Sequence, residues 1–369
     1  MISTLRARWD HFWFEASYLP ARLTTFRVAF FGLLALDLWM LMVPHAPRYG
    51  AGFFNVTHIA PLQPYLPVPT APLVTALYLV AGFVSLAVAL GVGGRRAVLA
   101  LTAIYGGVYF WSQADSYQHH YLIVLLLGVS AFLPLERTAG VDAGAAPADA
   151  PVKAWAARLI YAQVAVVYLF TATTKLSPFW LDGTTLQQII QVDGVRDFQA
   201  RFAGWFGQPE AWAYAVTAWS IMLWQFLASA AFLVPKLRPV ACITGPVFHI
   251  MVEVIELKIG WFSYYMIALY YILLFPDRWF LALGRPVGWA LRPLRRAFAW
   301  AAEPRPIDRA TRWVLAVGAT AGVGLWVAEV PIEGAGLAAA LAAAFTAAVT
   351  RPGAAPRARL RAAAMLLCG

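Results

Sequence analysis

The sequence predicts an all-α, polytopic transmembrane helical bundle of about ten spans, with amphipathic helices on its outer side and no soluble domain. Of the 369 residues, 61% are hydrophobic and only 12% are charged, and the mean hydropathy is +0.66. Soluble domains carry about 25% charged residues. The apolar residues form long runs rather than alternating ten-residue segments, which favours helices over an outer-membrane barrel.

Ten apolar runs are each near the roughly 20 residues that a helix needs to cross a bilayer. They cover residues 23–43, 71–92, 96–113, 119–135, 156–176, 212–234, 238–257, 259–276, 313–329 and 334–350. We divide the chain into an inner interfacial segment (1–22), the main transmembrane domain (23–280), an inner amphipathic helix with a linker (281–312), and two C-terminal spans with a basic tail (313–369).

The basic residues predict the orientation of the bundle. Most of the 28 Lys and Arg residues fall on segments of one side when the spans are counted along the chain. The positive-inside rule therefore predicts an integral cell-membrane protein with both termini cytoplasmic, as in a bacterial inner membrane. This distribution argues against nucleic acid as a partner, despite the net charge of +10. The two cysteines indicate neither a disulfide framework nor a metal site.

Three connecting segments are long. The outer segment 44–70 holds several prolines and predicts an ordered or half-ordered cap, whereas the inner segment 136–153 resembles a flexible tether. The outer segment 177–211 mixes aromatic, apolar and charged residues. It predicts two short amphipathic helices, hinged at Asp193 and Gly194, that form a lid beside Lys175.

Lys175 is the leading candidate for a catalytic residue. It closes the apolar run AQVAVVYLFTATTKL (162–176) at the outer side. An ammonium group beside hydrocarbon is costly, and burial lowers the pKa of a lysine towards that of a usable base. The alternative is a lysine at a helix end whose charged group reaches the membrane interface.

Two groups of histidines add polar atoms to the outer half of the bundle. His119 and His120 lie where the chain re-enters the membrane, and adjacent helical positions predict that one turns inward while the other faces away. His249, Glu253 and Glu256 follow at i, i+4 and i+7, which predicts one helix face. That face is either a packed polar stripe, or a proton relay or cation site that leads to the outer surface.

Other polar and aromatic residues accompany these groups. Asp37 and Gln163 lie inside predicted spans and need partners in the bundle interior, and Arg27 can pair with a carboxylate or reach the inner interface. Aromatic residues near the polar positions could wall a planar apolar ligand, or could serve ordinary helix packing. They are Tyr109, Trp111, Tyr168, Trp261, Phe262 and Tyr264.

Four stretches together resemble the transmembrane domain shared by vitamin K-dependent gamma-carboxylase and the bacterial HTTM (horizontally transferred transmembrane domain) proteins. They are LTTFRVAFFGLLALD (23–37), YQHHYL (117–122), QVAVVYLFTATTKLSPFWLDG (163–183) and FHIMVEVIELKIGWFSYYMIA (248–268). The family's essential lysine maps to Lys175 and its motif histidine to His119. Thr174 stands where the animal enzyme has a second lysine.

The resemblance implies a chemistry for these residues. Lys175 would be the base towards a reduced quinone such as reduced vitamin K or menaquinol, and His119 would position or polarise the quinone oxygen. His249, His120, Gln163, Tyr168, Asp37 and Glu253 would support the site, and Tyr109, Trp111, Phe262 and Tyr264 would contact the quinone. Oxidation of the quinone to the epoxide would use O2, and CO2 would be a second co-substrate where carboxylation, a lyase reaction, is retained.

Two other classes of function stay open at this point. One is a non-catalytic membrane scaffold, or a protein that binds quinone or lipid without chemistry. The other is a proton-linked transporter that uses His249, Glu253 and Glu256. Membrane lipid and quinone are the expected partners, with a peptide or small-molecule substrate that the sequence does not identify.

Overall fold

The computed structural model describes residues 2–50, 55–115, 117–141, 150–257, 259–282 and 293. These residues are mostly helical, as the sequence predicts. They divide into two compact units, the first drawn from residues 1–154 and 277–369 and the second from residues 155–276. The predicted spans 313–329 and 334–350, and nearly all of the predicted linker 281–312, lie outside the described residues.

The described part of the first unit contains six complete α-helices, one π-helical turn, short 3-10 turns and two very short strands, and residues 277–282 are also helical. The helices are α1 (Ile2–Phe14), α2 (Pro20–Asp37), α3 (Val43–His45), α4 (Ala71–Leu90), α5 (Gly94–Trp111) and α6 (Gln118–Ser130). The strands are β1 (Ser17–Tyr18) and β2 (Val152–Lys153), and the π-helical turn is Leu38–Met42. The 3-10 turns are Ala46–Arg48, Ala60–Tyr65, Gln113–Asp115 and Leu135–Arg137.

The second unit contains seven α-helices among its described residues, and three of these belong to the outer segment 177–211. They are α7 (Trp155–Thr173), α8 (Pro178–Leu181), α9 (Thr184–Ile189), α10 (Asp193–Trp205), α11 (Glu210–Leu233), α12 (Arg238–Val254) and α13 (Phe262–Leu274). A 3-10 turn, Pro235–Leu237, leads into α12. Helices α7 and α11 pack closely together, and the Ser229 hydroxyl of α11 donates 2.8 Å to the Ala165 carbonyl of α7.

Five helical stretches in the described part of the chain are long and apolar enough to cross a membrane. They are Pro20–Arg48, Ala71–Leu90, Trp155–Thr173, Glu210–Leu233 and Pro235–Val254. By length and composition they match five of the predicted spans, and they indicate an integral membrane protein.

Three more predicted spans fall on shorter or less apolar helices. Runs 119–135 and 259–276 coincide with α6 and α13, which have 13 residues each. At 1.5 Å per residue each is about 20 Å long, less than the roughly 30 Å of a hydrocarbon core. Helix α6 ends ahead of Pro134, and α13 lies between Gly260 and Pro276. Run 96–113 coincides with α5, whose first turn contains Arg95 and Arg96.

The first span is a composite helix. Helix α2 ends at the fully buried Asp37, and the helix continues through the π-helical turn Leu38–Met42 into α3. Such a turn widens the helix locally and often marks a functional position. The buried Arg27 lies on the same helix and donates to the backbone carbonyls of Ala89 and Ala139.

Residues on the predicted cytoplasmic side of the first unit are joined by polar contacts. Strands β1 and β2 pair antiparallel, with Ser17 opposite Lys153 and Tyr18 opposite Val152. Arg22 contacts the Asp277 carboxylate at 2.7 Å, and its guanidinium lies 4.5 Å from the Phe280 ring centroid. These contacts join residues 17–22 to residues 152–153 and to residues 277–280.

The outer segment 177–211 differs from the prediction in one respect. It forms three short helices rather than two, and the proposed hinge at Asp193 and Gly194 is wrong because both residues belong to the first turn of α10. The break falls between α9 and α10 instead, at residues 190–192. An aspartate in the first turn favours a helix start, since its carboxylate interacts with the N-terminal end of the helix dipole.

Candidate functional site

Lys175 lies two residues beyond the end of α7 and is half-buried. Its ammonium nitrogen donates 3.1 Å to the Thr171 carbonyl and lies 4.9 Å from the centroid of the Trp180 ring. Loss of hydration on burial lowers the pKa of Lys175 below its usual range. The amine is therefore held against carbonyl and aromatic groups rather than extended into solvent, and neutral amine is more available than at a free lysine.

The position of Trp180 is fixed by the outer segment. Helix α8 begins at Pro178 after Ser177, whose hydroxyl oxygen accepts from the Trp180 backbone N–H. The Trp180 indole N–H donates 3.2 Å to the Ala218 carbonyl of α11. Trp180 also packs on a buried apolar cluster in which α9 meets α11: Leu186, Ile190, Tyr214 and Ala218. We call residues 176–190, which hold the ring beside Lys175, the cap.

Gly183 allows the cap to approach α11 closely. Its φ is +85°, in the left-handed region, and a Cβ atom there would lie 2.5 Å from the backbone nitrogen of Ala215 and 2.6 Å from the carbonyl carbon of Tyr214. Only glycine fits such a position without moving backbone.

The second polar centre in this unit is a buried pair on α7 and α12. The Tyr168 hydroxyl and His249 Nε2 lie 2.6 Å apart, and both side chains are almost fully buried. Tyr270 of α13 completes the cluster, with its ring centroid 5.8 Å from that of Tyr168. The Phe262 ring lies 5.7 Å from the His249 ring. A single hydrogen bond thus fixes the orientation of an imidazole that aromatic rings surround.

Some polar atoms near this centre have no hydrogen-bond partner among the described residues. They include His249 Nδ1, Glu253 Oε1 of the next helical turn, and Ser263 Oγ of α13. A buried polar atom without a partner costs about 1–3 kcal/mol, so such atoms usually meet water or a ligand. The imidazole therefore offers a free nitrogen to a polar group of a bound molecule.

Glu256 does not belong to this polar face, so the prediction that it continues the helix stripe is wrong. Helix α12 ends at Val254, and Glu256 has a left-handed φ of +54°. The N–H of Leu257 donates to the Val252 carbonyl, and the N–H of Glu256 donates to Glu253. This is the pattern of a Schellman helix end. The stripe is therefore His249 and Glu253 alone, and Glu256 is exposed.

In the first unit, His119 and His120 are both buried, so the prediction that one of them faces away is wrong. They are 6% and 3% exposed, and their ring centroids lie 4.1 Å apart. The pair occupies the first turn of α6, where Tyr117 and Tyr105 flank the rings. Aromatic neighbours on both sides explain why two adjacent positions can be buried at once.

The outer segment 55–67 is ordered and attached to the end of α5. The His58 ring stacks on Tyr109 at 4.4 Å, and the Trp111 indole N–H donates 2.8 Å to the Pro67 carbonyl. The N–H of Gln113 donates 2.8 Å to Val56. Tyr109 and Trp111, predicted to contact a ligand, thus fasten this segment to α5.

The structure distributes the predicted site residues over both units. The second unit brings Tyr168, His249 and Phe262 together, with Glu253 one turn further along α12 and Lys175 beneath the cap. Tyr264 is 49% exposed and Gln163 is half-buried. Asp37, Tyr109, Trp111, His119 and His120 belong to the first unit. Among the described residues, no group of three or more His, Cys, Asp and Glu side chains is placed to hold a metal ion.

Sequence reasoning missed three residues of the second unit. Trp180 and Gly183 were detectable in part, because Ser-Pro followed by an aromatic residue and then Asp-Gly indicates a short capped helix and a turn. Tyr270 gave no such signal, since it is one of several tyrosines in the apolar α13.

Tyr168→Phe is expected to lower the free energy of unfolding by about 1–3 kcal/mol, because His249 Nε2 would lose its partner in a buried place. Thermal unfolding in detergent measures the effect. Tyr271→Phe is the matched control, since Tyr271 is 40% exposed on α13. Equal stability of the two variants would contradict the hydrogen bond.

Comparison with known families gives one match. The sequence model for the HTTM domain matches residues 16–279, which is more than half of the chain and covers the whole of the second unit. No curated protein and no solved structure matches the chain.

Proposed function

The chain belongs to the HTTM domain family, and from this premise we propose that it binds a reduced quinone of the vitamin K type and uses Lys175 as the proton acceptor. The observation that carries the proposal is the placement of the half-buried Lys175 amine against both the Thr171 carbonyl and the Trp180 ring. A general base must be neutral at working pH, and burial of this amine favours the neutral form.

Two features of the second unit support a reduced quinone as the ligand. Such a molecule combines a flat aromatic ring with hydroxyl groups, and when bound it supplies two electrons and an acidic hydroxyl. His249 Nδ1 is a buried nitrogen without a partner among the described residues, and aromatic side chains surround the imidazole. These are the features that bind a planar ligand and orient its polar edge.

Each residue has a distinct task in this proposal. Lys175 accepts a proton at its Nζ, while Trp180 excludes water from one side of the amine. Tyr168 fixes the His249 ring so that Nδ1 points to one place. His119 and His120 are both buried in the first unit. The orienting role of His119 is proposed from the family resemblance alone.

Quinone turnover tests the proposal. Purified protein in lipid nanodiscs is supplied with menaquinol and O2, and quinone epoxide is measured with and without CO2 and glutamyl peptides. We expect epoxide with the native chain and at least a 100-fold loss with Lys175→Ala, because general-base catalysis contributes about 10²–10⁴-fold. His119→Ala is assayed in parallel. Lys236→Ala, on an exposed residue, is the control.

The same assay separates the alternatives. Equal activity of Lys175→Ala and the native chain would end the catalytic proposal. Tight menaquinol binding that survives Lys175→Ala, with no epoxide from any variant, would favour a quinone-binding scaffold. A proton-linked transporter is less well supported, because Glu256 lies beyond the end of α12 and does not extend the polar face of His249 and Glu253.

The lowered pKa of Lys175 predicts a specific pH dependence. The neutral amine reacts with acylating reagents, so labelling follows deprotonation. We expect the labelling midpoint of Lys175 to lie below the value of about 10.4 for a lysine in a model peptide, since burial disfavours its charged form. Mass spectrometry of the peptide that contains Lys175 gives the midpoint, which is independent of labelling amplitude. A midpoint equal to that of a model lysine peptide would contradict the proposed neutral base.

A further inference from the structure

The second unit has an apolar groove between α10, α11 and α12 that the proposed function does not use. Its volume is about 630 Å³, within the range of ligand-binding clefts. Phe198 and Phe202 of α10 form one wall, and Trp224 and Phe248 form part of the others. Four aromatic rings therefore face a space large enough for one flexible ligand.

The hydroxyl groups that line the groove already have partners. Ser220 donates 2.8 Å to the Val216 carbonyl, and Thr244 donates 3.1 Å to Val240. Thr217 shares hydrogen bonds with the buried Gln199 side chain. The hydroxyl hydrogens of the lining are therefore all used within the protein, and the other lining side chains are aliphatic or aromatic, so the groove suits an apolar occupant.

The helices that form the groove indicate that it faces the lipid bilayer. Helices α11 and α12 belong to two of the stretches that are long and apolar enough to cross a membrane. The lining positions on α12, such as Thr244 and Val247, lie within its length rather than at its ends. Groups at these positions contact lipid chains where neighbouring protein does not cover them.

We propose that this groove binds one hydrocarbon chain of a bilayer phospholipid, held between α10 and the two spanning helices. The aromatic walls provide dispersion contacts to the chain, and the concave shape provides more contacts than an ordinary helix surface. The proposal does not rest on quinone binding, because the acyl chains of phospholipids are the apolar groups that surround membrane-spanning helices.

Two rings that line the groove, Trp224 and Phe248, connect it to the buried Tyr168–His249 pair. Trp224 stacks on Phe248 at 4.1 Å, and the Trp224 ring meets the Tyr168 ring edge-on at 5.5 Å. Tyr168 in turn contacts His249. A chain in the groove therefore packs against the ring that supports the Tyr168–His249 pair.

Photo-crosslinking tests the site. The full chain is placed in nanodiscs that contain phosphatidylcholine with a diazirine on one acyl chain, and adducts are mapped by mass spectrometry. Val247 lies in the groove and Ile250 of the same helix does not, yet they are 53% and 52% exposed. We expect about tenfold more adduct at Val247 than at Ile250, because an acyl chain bound in the groove stays longer than a chain of freely diffusing lipid stays at the helix surface.

Filling the groove provides the second arm. Ser220→Trp places a large ring in the groove from an exposed position, so we expect the variant to fold, which thermal unfolding in detergent checks. We expect it to reduce the adduct at Val247 to the level of Ile250 and to leave Ile250 unchanged. Equal labelling of the two residues in the native chain would overturn the proposal. Displacement at Val247 by long-chain menaquinone, but not by excess unlabelled phospholipid, would overturn the choice of phospholipid.

Discussion

Replacement of Arg27 by alanine is expected to destabilise the first unit by about 3–5 kcal/mol, because several buried acceptors lose a charged donor, each at a cost of about 1–3 kcal/mol. Arg27 is 1% exposed, and its guanidinium donates to the Ala89 carbonyl at 3.3 Å and to Thr138 Oγ1 and the Ala139 carbonyl. The single side chain thus joins α2 to the end of α4 and to the connection that follows α6.

Two glycines pack closely against the Arg27 guanidinium. A Cβ atom on Gly91 would lie 2.8 Å from the guanidinium, and one on Gly140 would lie 2.9 Å from it. Truncation therefore leaves a cavity as well as acceptors without donors. Lysine cannot replace the planar fork of arginine, so Arg27→Lys is expected to recover only part of the loss.

Thermal unfolding in detergent, followed by tryptophan fluorescence, measures the effect. Arg96→Ala removes an arginine from an exposed position of the same unit and should change stability by less than about 0.5 kcal/mol. If Arg27→Ala unfolded at the same temperature as Arg96→Ala, the described hydrogen bonds would carry no stability, and the prediction would be wrong.

The sequence predicts the spanning helices because their signal is summed over many residues. Helices α7, α11 and α12 coincide with predicted spans to within a few residues at most ends. Helix ends are harder to predict. The end of α12 depends on Glu256 taking a left-handed φ of +54°, a conformation usually taken by glycine. A glutamate there gives no sequence signal for a helix end, so the periodicity predicts one helical turn more than α12 has.

The candidate site could be predicted in part for a similar reason. A lysine at the end of an apolar run is conspicuous, and so is a histidine in a span, so Lys175 and His249 were found. Their neighbours depend on tertiary packing. The contact between Lys175 and Trp180 requires the cap to fold back onto α11 through the Ala218 carbonyl. The burial of both His119 and His120 likewise depends on Tyr105 of another helix.

The cap provides the second large expected effect, because Gly183→Ala should detach it from α11. The native φ of +85° costs an alanine about 1–2 kcal/mol. The added Cβ would also lie 2.5–2.7 Å from atoms of Tyr214 and Ala215, most of them backbone. Overpacking of this kind costs about 1–3 kcal/mol more. We expect a combined loss of roughly 2–5 kcal/mol, concentrated in residues 176–190.

Detachment of the cap should also change the chemistry of Lys175, since Trp180 would no longer cover the amine. The pKa of Lys175 is lowered by burial, so exposure should raise its labelling midpoint towards that of a model lysine peptide. Faster limited proteolysis within residues 176–190 would report the loosened backbone independently.

Gly194→Ala is the matched control for both measurements. Gly194 lies in helix α10, and no atom within 4 Å would obstruct a Cβ there. Alanine favours a helix over glycine by up to about 1 kcal/mol, so this variant should be neutral or slightly more stable. A Gly183→Ala protein that kept both the native labelling midpoint and the native proteolysis rate would mean that the cap does not shield Lys175. The amine would then need another source of dehydration to serve as a base.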